Sequence, residues 1–289
     1  MPLRVSTIAF LNPAPLLYNF EHEPTATALR KHYDVHYTSP SICAAELNSG
    51  TADLGLIPIA SLTPDLAIVP GCAIASRDEV RSILLLVKNP GRLAIGEALA
   101  RVRSIAADTA SRSSVVYARI LFEHFHHIHP NFFDLPADPA TMLASADAAL
   151  IIGDPALLAR ERRAQIDAGL DVPLLWLDLA HLWWELTGLP WVAAVWAIRP
   201  EALSPAGLSP QQLIQDLTAS RDAGLAHTEQ LVNEWTPRLA LSAATIRTYL
   251  THNIHYTLDP DCLRAIELFR TLATSIGALP PLANLNLLS

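Results

Sequence analysis

Two short segments carry the side chains best suited to holding an anion. Asp108-Thr109-Ala110-Ser111-Arg112-Ser113-Ser114 stands ahead of an apolar helical run, so the hydroxyls of Ser111, Ser113 and Ser114 meet a helix N-terminus. Unpaired N–H groups and the positive dipole end there favour a carboxylate or phosphate. The same residues could simply cap the helix. In Val80-Arg81-Ser82, Arg81 has the forked guanidinium that grips a carboxylate and Ser82 a hydroxyl to assist it. Arg81 could equally pair with Asp78 or Glu79. Asn12, before Pro13 and Pro15, offers an amide at a strand end, or an Asx-turn. Gly153-Asp154 opens another helix; Asp154 is the acid whose pattern places it in a cleft, with capping again the alternative. Asn12 and Asp154 are the residues whose pattern could place an amide and an acid in a cleft. Arg81, Ser82, Ser111, Ser113, Ser114 and Gly153 are the candidates for binding substrate. His124, His126, His127 and His129 are dense enough to suggest a metal, but no carboxylate or Cys stands at suitable spacing. A solvent-facing helix end accounts for them, and no metal site is expected.

The elements that position these residues repeat. Ala52-Asp53-Leu54-Gly55-Leu56-Ile57-Pro58 is echoed by Ala146-Asp147-Ala148-Ala149-Leu150-Ile151-Ile152-Gly153-Asp154-Pro155. In each, an Asp opens an apolar run suited to a buried strand, and a Pro follows where a helix can begin. Such short apolar words also recur by chance in a chain rich in Ala and Leu. As a repeat they predict two similar α/β lobes facing a cleft. Strands over 81–88 and 191–198 bracket the middle series and read as crossings between lobes, a hinge arrangement. Lobe one is then residues 1–88 plus 197–289, and lobe two 89–196. From Pro200 the pattern is helical, over 210–235, 242–252 and 260–275, with an extended tail at 280–282. Trp176, Trp183, Trp184, Trp191 and Trp196 crowd one apolar stretch and read mainly as core.

Composition narrows the class. With 289 residues, 51% of them hydrophobic and only 17% charged, the chain can bury a large core. Mean hydropathy is +0.27, yet no apolar block reaches the ~18–20 residues of a membrane span. Net charge of −8 argues against a nucleic-acid surface, so an anionic ligand needs a local site. Cys43, Cys72 and Cys262 are scattered, as in a protein with reduced thiols. The N-terminus runs straight into a strand pattern without a basic segment and a long apolar stretch, so a cytoplasmic protein is expected. No phosphate-binding P-loop, dinucleotide fingerprint, H-E-x-x-H or G-x-S-x-G motif is present, which removes support from the corresponding chemistries.

In order, these segments resemble the chorismate dehydratase family of the futalosine route to menaquinone. The resemblance rests on Phe10-Leu11-Asn12 with Pro15-Leu16, the 52–58 segment, Ile74-Ala75-Ser76 with Val80-Arg81-Ser82, and Ser111-Arg112-Ser113-Ser114. It continues through Ala149 to Leu157, Asp178-Leu179, Trp183, Thr187-Gly188-Leu189-Pro190 and Ala194-Val195-Trp196-Ala197. It spans roughly residues 4–200; the C-terminal helices match only in character. Asp78-Glu79 stands where a Gly-Pro pair is usual, and Ser113 where a Thr is usual. The resemblance implies a two-lobed fold of the type II periplasmic-binding-protein kind, working as a cytoplasmic lyase without metal or organic cofactor. The implied reaction removes water from chorismate to give 3-[(1-carboxyvinyl)oxy]benzoate. Its base is either Asp154 or the substrate's own enolpyruvyl carboxylate, with Asn12 orienting the latter. Two rivals remain open: a non-enzymatic receptor or sensor of a small anion, and a sister enzyme acting on a later bicyclic intermediate with a cleft His as base.

Overall fold

Continuous apolar runs such as Leu84-Leu85-Leu86-Val87 suit strands covered on both faces. The computed structural model, which describes residues 1–281 and 284–289, places them in the middle of two sheets. The strands are β1 (Leu3–Ile8), β2 (Tyr33–Thr38), β3 (Leu54–Pro58), β4 (Ala67–Ser76), β5 (Ile83–Lys88), β6 (Ser104–Asp108), β7 (Asn131–Leu135), β8 (Ala148–Ile152), β9 (Leu174–Asp178), β10 (Trp191–Ile198) and β11 (His255–Leu258). One sheet has the order β11-β4-β10-β3-β1-β2, the other β7-β6-β8-β5-β9.

The echoed segments form equivalent strands. β3 runs parallel to β1 and antiparallel to β10, and β8 runs parallel to β6 and antiparallel to β5. Beyond them β2 and β7 add in parallel, β4 and β9 antiparallel. The architecture is thus a mixed α/β fold of two lobes with the same strand plan. The second echo leads into the helix Gly153–Glu161, whereas Pro58 ends β3 and only the short 3-10 turn Ile59–Ser61 follows.

Sheet membership corrects the expected lobe limits. β5 pairs along its length with β8 and β9, and β10 with β3 and β4, so neither strand is shared between sheets. Residues 83–88 therefore belong with the second sheet and 191–196 with the first. The crossings are made by residues 77–82 and 179–190. The physical reason is backbone pairing: a buried strand needs its N–H and C=O groups satisfied along both edges, and each of these two finds both partners within one sheet.

Other differences are local. β4 runs unbroken past Pro70, because bulges opposite β10 absorb the irregularity there. β7 and β11 lack a clear alternation and are held by their neighbours. The helical run behind the serine-rich segment is α-helical in Ser113–Arg119 and widens to a π-helix in Ile120–Phe125. The long C-terminal helix breaks at His227 into Pro210–Ala226 and Thr228–Leu239. The tail expected at 280–282 includes Leu282, which lies outside the described residues. Trp183, Trp191 and Trp196 are buried in the core, as are the three free thiols.

The two crossings meet at Asp178. One carboxylate oxygen accepts the N–H groups of Ala180 (3.0 Å) and His181 (3.2 Å), capping the helix Leu179–Thr187. The same carboxylate reaches the other crossing, accepting from Val80 N–H (3.3 Å) and Arg81 N–H (2.6 Å). Arg81 sits at φ 65°, a strained conformation for a side chain of its size. Burial pushes the Asp178 carboxyl pKa up, and the N–H donors oppose that shift. Asp178→Ala strips an acceptor from four N–H groups at once. The expected loss is about 2–4 kcal/mol of stability in urea unfolding; an unchanged midpoint would mean that water replaces the carboxylate.

Candidate active site between the sheets

The ends of β1, β5 and β8 and the start of the helix Ser113–Arg119 converge on one cleft. Gly153 follows β8 at φ 65°, and a Cβ there would lie 2.5 Å from the Phe10 ring. Only glycine meets both conditions. Its N–H donates to the Ser82 carbonyl (2.8 Å), continuing the β5–β8 ladder by one step and setting Ser82 beside Gly153. Asp108 accepts from Ala110 N–H (2.9 Å) and, more weakly, from Ile152 N–H (3.5 Å), which fixes the serine-rich loop against the end of β8.

The pocket so formed holds about 490 Å³ of space, its open mouth included. Its walls are mostly apolar, with Ile8, Phe10, Ile74, Ile83 and Ile152 prominent. Its polar side chains are Asn12, Ser82, Arg112, Ser113 and Ser114. Asn12, Ser82, Ser113, Ser114 and Gly153 thus come together in one pocket. Asn12 Oδ1 is buried and meets no donor among the described residues, so an acceptor is left for whatever enters. Ser82 Oγ bonds the hydroxyl of Tyr249 at 2.8 Å.

Three candidates are placed otherwise. Asp154 is absent from the lining; its Oδ1 accepts from Leu11 N–H (2.9 Å), so the carboxylate ties the two lobes together. Arg81 is also absent from the lining, its backbone drawn to Asp178 and its Nε buried without a partner among the described residues. Ser111 is buried and absent from the lining, and its hydroxyl likewise finds no partner among the described residues. Ser113 lines the pocket but is already engaged. Its hydroxyl donates to the Ala193 carbonyl (3.2 Å) and accepts from Ala60 N–H (3.2 Å), both on the facing lobe. One turn on, the Tyr117 hydroxyl donates to the Val192 carbonyl (3.1 Å), and its ring stacks on Trp191.

Arg112 is the residue that the expectation passed over. It sits within the serine-rich segment, is exposed, and lines the pocket with no carboxylate paired to it among the described residues. Its position between two candidate serines was the available signal. Tyr249, in the helical C-terminal part, offered none. His124, His127 and His129 are exposed at the end of the π-helix, away from the pocket. Among the described residues, His255, Asp259 and Cys262 are close enough to be considered as metal ligands. Asp259 is already committed, accepting from Arg77 (2.6 Å) and from Cys262 N–H (2.9 Å) with His255 Nε2 at 2.7 Å. Burial pushes the Cys262 thiol up to about 12. A helix cap flanked by a guanidinium, beside a thiol held neutral, is a poor cation cage.

Residues 3–275 match the protein family described as menaquinone biosynthesis. A chorismate dehydratase of Thermus thermophilus is 27% identical over 207 residues, covering 68% of this chain and 70% of that protein. Among solved structures, a protein of Archaeoglobus fulgidus superposes with a TM-score of 0.70 at 13% identity, over 96% of this chain and 98% of its own. The periplasmic aliphatic sulphonate binding protein of Escherichia coli gives 0.66 at 16% identity, over 97% and 94%. A Candida albicans gene product described as having the generic periplasmic binding protein fold gives 0.66 at 12%, over 98% and 92%. These likenesses establish the two-lobed fold. Among the described residues, no helix is long and apolar enough to cross a membrane.

The Asp154 contact makes a pH signature. Burial pushes its carboxyl from 3.8 to about 6, with the Leu11 N–H opposing. Between those values the unfolded chain has lost the proton that the folded one retains, so stability falls as pH rises through that window. Asp154→Asn is expected to flatten this slope, which amounts to at most about 3 kcal/mol. Urea unfolding at stepped pH measures it; parallel curves for the two proteins would remove Asp154 as the source.

Proposed function

Because the chain belongs to the menaquinone biosynthesis family, we propose that it removes water from chorismate to give 3-[(1-carboxyvinyl)oxy]benzoate. One observation carries the reading. Among the described residues, Arg112 is the only ionisable side chain lining the cleft, and no Asp, Glu, His, Lys or Cys joins it. Such a lining suits a ring with two carboxylates, and it supplies a counter-charge without supplying a base.

The chemistry then divides between ligand and protein. The ring hydrogen on the carbon that bears the enol ether is vinylogous to the ring carboxylate. As that C–H bond breaks, its electrons move into the ring and toward this carboxylate, and the neighbouring hydroxyl departs. The enolpyruvyl carboxylate takes the proton and passes it to the departing oxygen, so water leaves and the ring becomes aromatic. Arg112, Ser114 and the first-turn N–H groups of the helix Ser113–Arg119 are suited to hold the ring carboxylate as it gains charge. Interactions that strengthen in this way favour the transition state over the bound substrate. The Asn12 amide orients the leaving hydroxyl or the acting carboxylate. Phe10, Ile8, Ile74, Ile83 and Ile152 exclude water, which strengthens each polar contact inside. Asp154 serves lobe closure in this scheme and is not the base. A cytoplasmic location suits a substrate made inside the cell.

The likeness to solute-binding proteins supports a second reading, in which the cleft binds an anion without converting it. The sister-enzyme reading loses its base, since no His lines the pocket among the described residues. Incubating the purified protein with chorismate separates these readings. Appearance of the aromatic enol ether by chromatography and mass spectrometry, undiminished by chelator, is expected. Tight binding without product would instead assign the cleft to a receptor.

Asn12→Asp sharpens the assignment. It sets a negative charge against a dianion in a low-dielectric site, and turnover is expected to fall by at least the order of 10²–10³ seen when a positioned donor is lost. Near-normal turnover in a folded variant would return Asn12 to a turn-forming role.

A further inference from the structure

Ser82 does not stand alone at the cleft. Tyr249 is 1% exposed, does not line the pocket, and places its hydroxyl 2.8 Å from Ser82 Oγ. It opens the π-helical turn Tyr249–Asn253, and the last residue of that turn holds the same crossing: Asn253 Nδ2 donates to the Glu79 carbonyl (3.0 Å). The turn therefore grips residues 77–82 at two points. The Asn12 amide, which shares the cleft with Ser82, lies near this phenol and slightly opposes the upward push of burial on it.

The hydrogen-bond accounting for this trio has a preferred direction. A phenol is a better donor than an alkyl hydroxyl, and burial keeps this one protonated. Tyr249 therefore donates to Ser82. Two groups are left over. Asn12 Oδ1 is a buried acceptor without a donor among the described residues, and Ser82, which lines the cleft and accepts from Tyr249, keeps its own proton to donate. An acceptor beside a donor matches a ligand hydroxyl, which does both.

We propose that Tyr249 is a positioning residue that fixes the Ser82 proton on the departing hydroxyl of the substrate while Asn12 Oδ1 accepts that hydroxyl's own proton. This deepens, and rests on, the reading of the cleft as a dehydratase site. Ser82 would then stabilise the oxygen as it gains negative charge, and Tyr249 would act only through Ser82.

The test is a double-mutant cycle on turnover with Tyr249→Phe, Ser82→Ala and the pair, with melting temperature recorded for each. Tyr249→Phe is expected to lower kcat about 10-fold while KM stays within about threefold, because the lost order matters most as charge develops. The double variant is expected to be no slower than Ser82→Ala alone. Tyr256→Phe is the structural control. It also removes a buried hydroxyl without a partner among the described residues, and it should leave kcat unchanged. A Tyr249→Phe kcat within twofold of wild type, or losses that multiply in the double variant, would overturn the proposal. If Tyr249→Phe fails to fold, fluorotyrosine placed at position 249 keeps the ring and sharpens the phenol donor; a kcat unmoved by it counts against the role. Wild-type protein that binds chorismate without converting it defeats the functional reading separately. The same cycle is then read in affinity: coupled losses keep the Tyr249–Ser82 unit, and independent losses end it. Neither binding nor turnover ends both.

Discussion

A single buried carboxylate, that of Asp178, accepts backbone N–H groups from both places where the chain passes between lobes. The geometry of the cleft depends on that junction. One crossing ends in Ser82, and the other feeds β10, whose Ala193 and Ala194 form part of the pocket wall. Burying a carboxylate is costly unless its oxygens are satisfied, and here four N–H donors offset the cost. Arg160 adds a guanidinium 3.7 Å away. The left-handed backbone at Arg81 is held by the same contact, so a strained residue sits where the direction of the chain must change.

Around this junction, several polar groups that look available for a ligand are used between the lobes. Asp154 accepts from Leu11, Ser113 bridges Ala60 and Ala193, and Tyr117 bonds Val192. Each bond contributes only about 1 kcal/mol net, so a few of them can part to admit a ligand and re-form behind it. The close fit of Phe10 over Gly153 adds a contact that a larger residue would not permit. The groups left to face a ligand are then few: Asn12, Ser82, Arg112 and Ser114.

That short inventory shapes the chemistry. A cleft with one cation, an amide and hydroxyls can hold carboxylates and a hydroxyl in fixed positions, and no Asp, Glu, His, Lys or Cys lines it among the described residues. An elimination whose base comes with the substrate asks for little more than orientation, charge stabilisation and dryness. Under the proposed function, the same inventory would let a fold shared with solute-binding proteins serve as an enzyme, since gripping an anion and closing on it supplies most of what such a step needs.

Much of this was legible from local pattern. The echo at residues 52 and 146 marks equivalent strands, and the limits of β10 and of the helix Pro260–Ser275 follow directly from apolar runs and Pro starts. Asn12, Ser82, Ser113, Ser114 and Gly153 could be picked out because strand ends and helix starts gather at one edge of an α/β sheet. Tertiary structure alone decided which sheet β5 and β10 would join, since an apolar run records that both faces are buried and not by which neighbours. It also decided the partners of Asp154, Ser113 and Arg81, because a hydrogen bond goes to the nearest donor or acceptor in space, and Leu11, Ala193 and Asp178 are far from them in the chain. Tyr249 shows the same limit from the other side. Nothing in its helical surroundings sets it apart, and only the packing of a π-helical turn against a crossing segment brings its hydroxyl to Ser82.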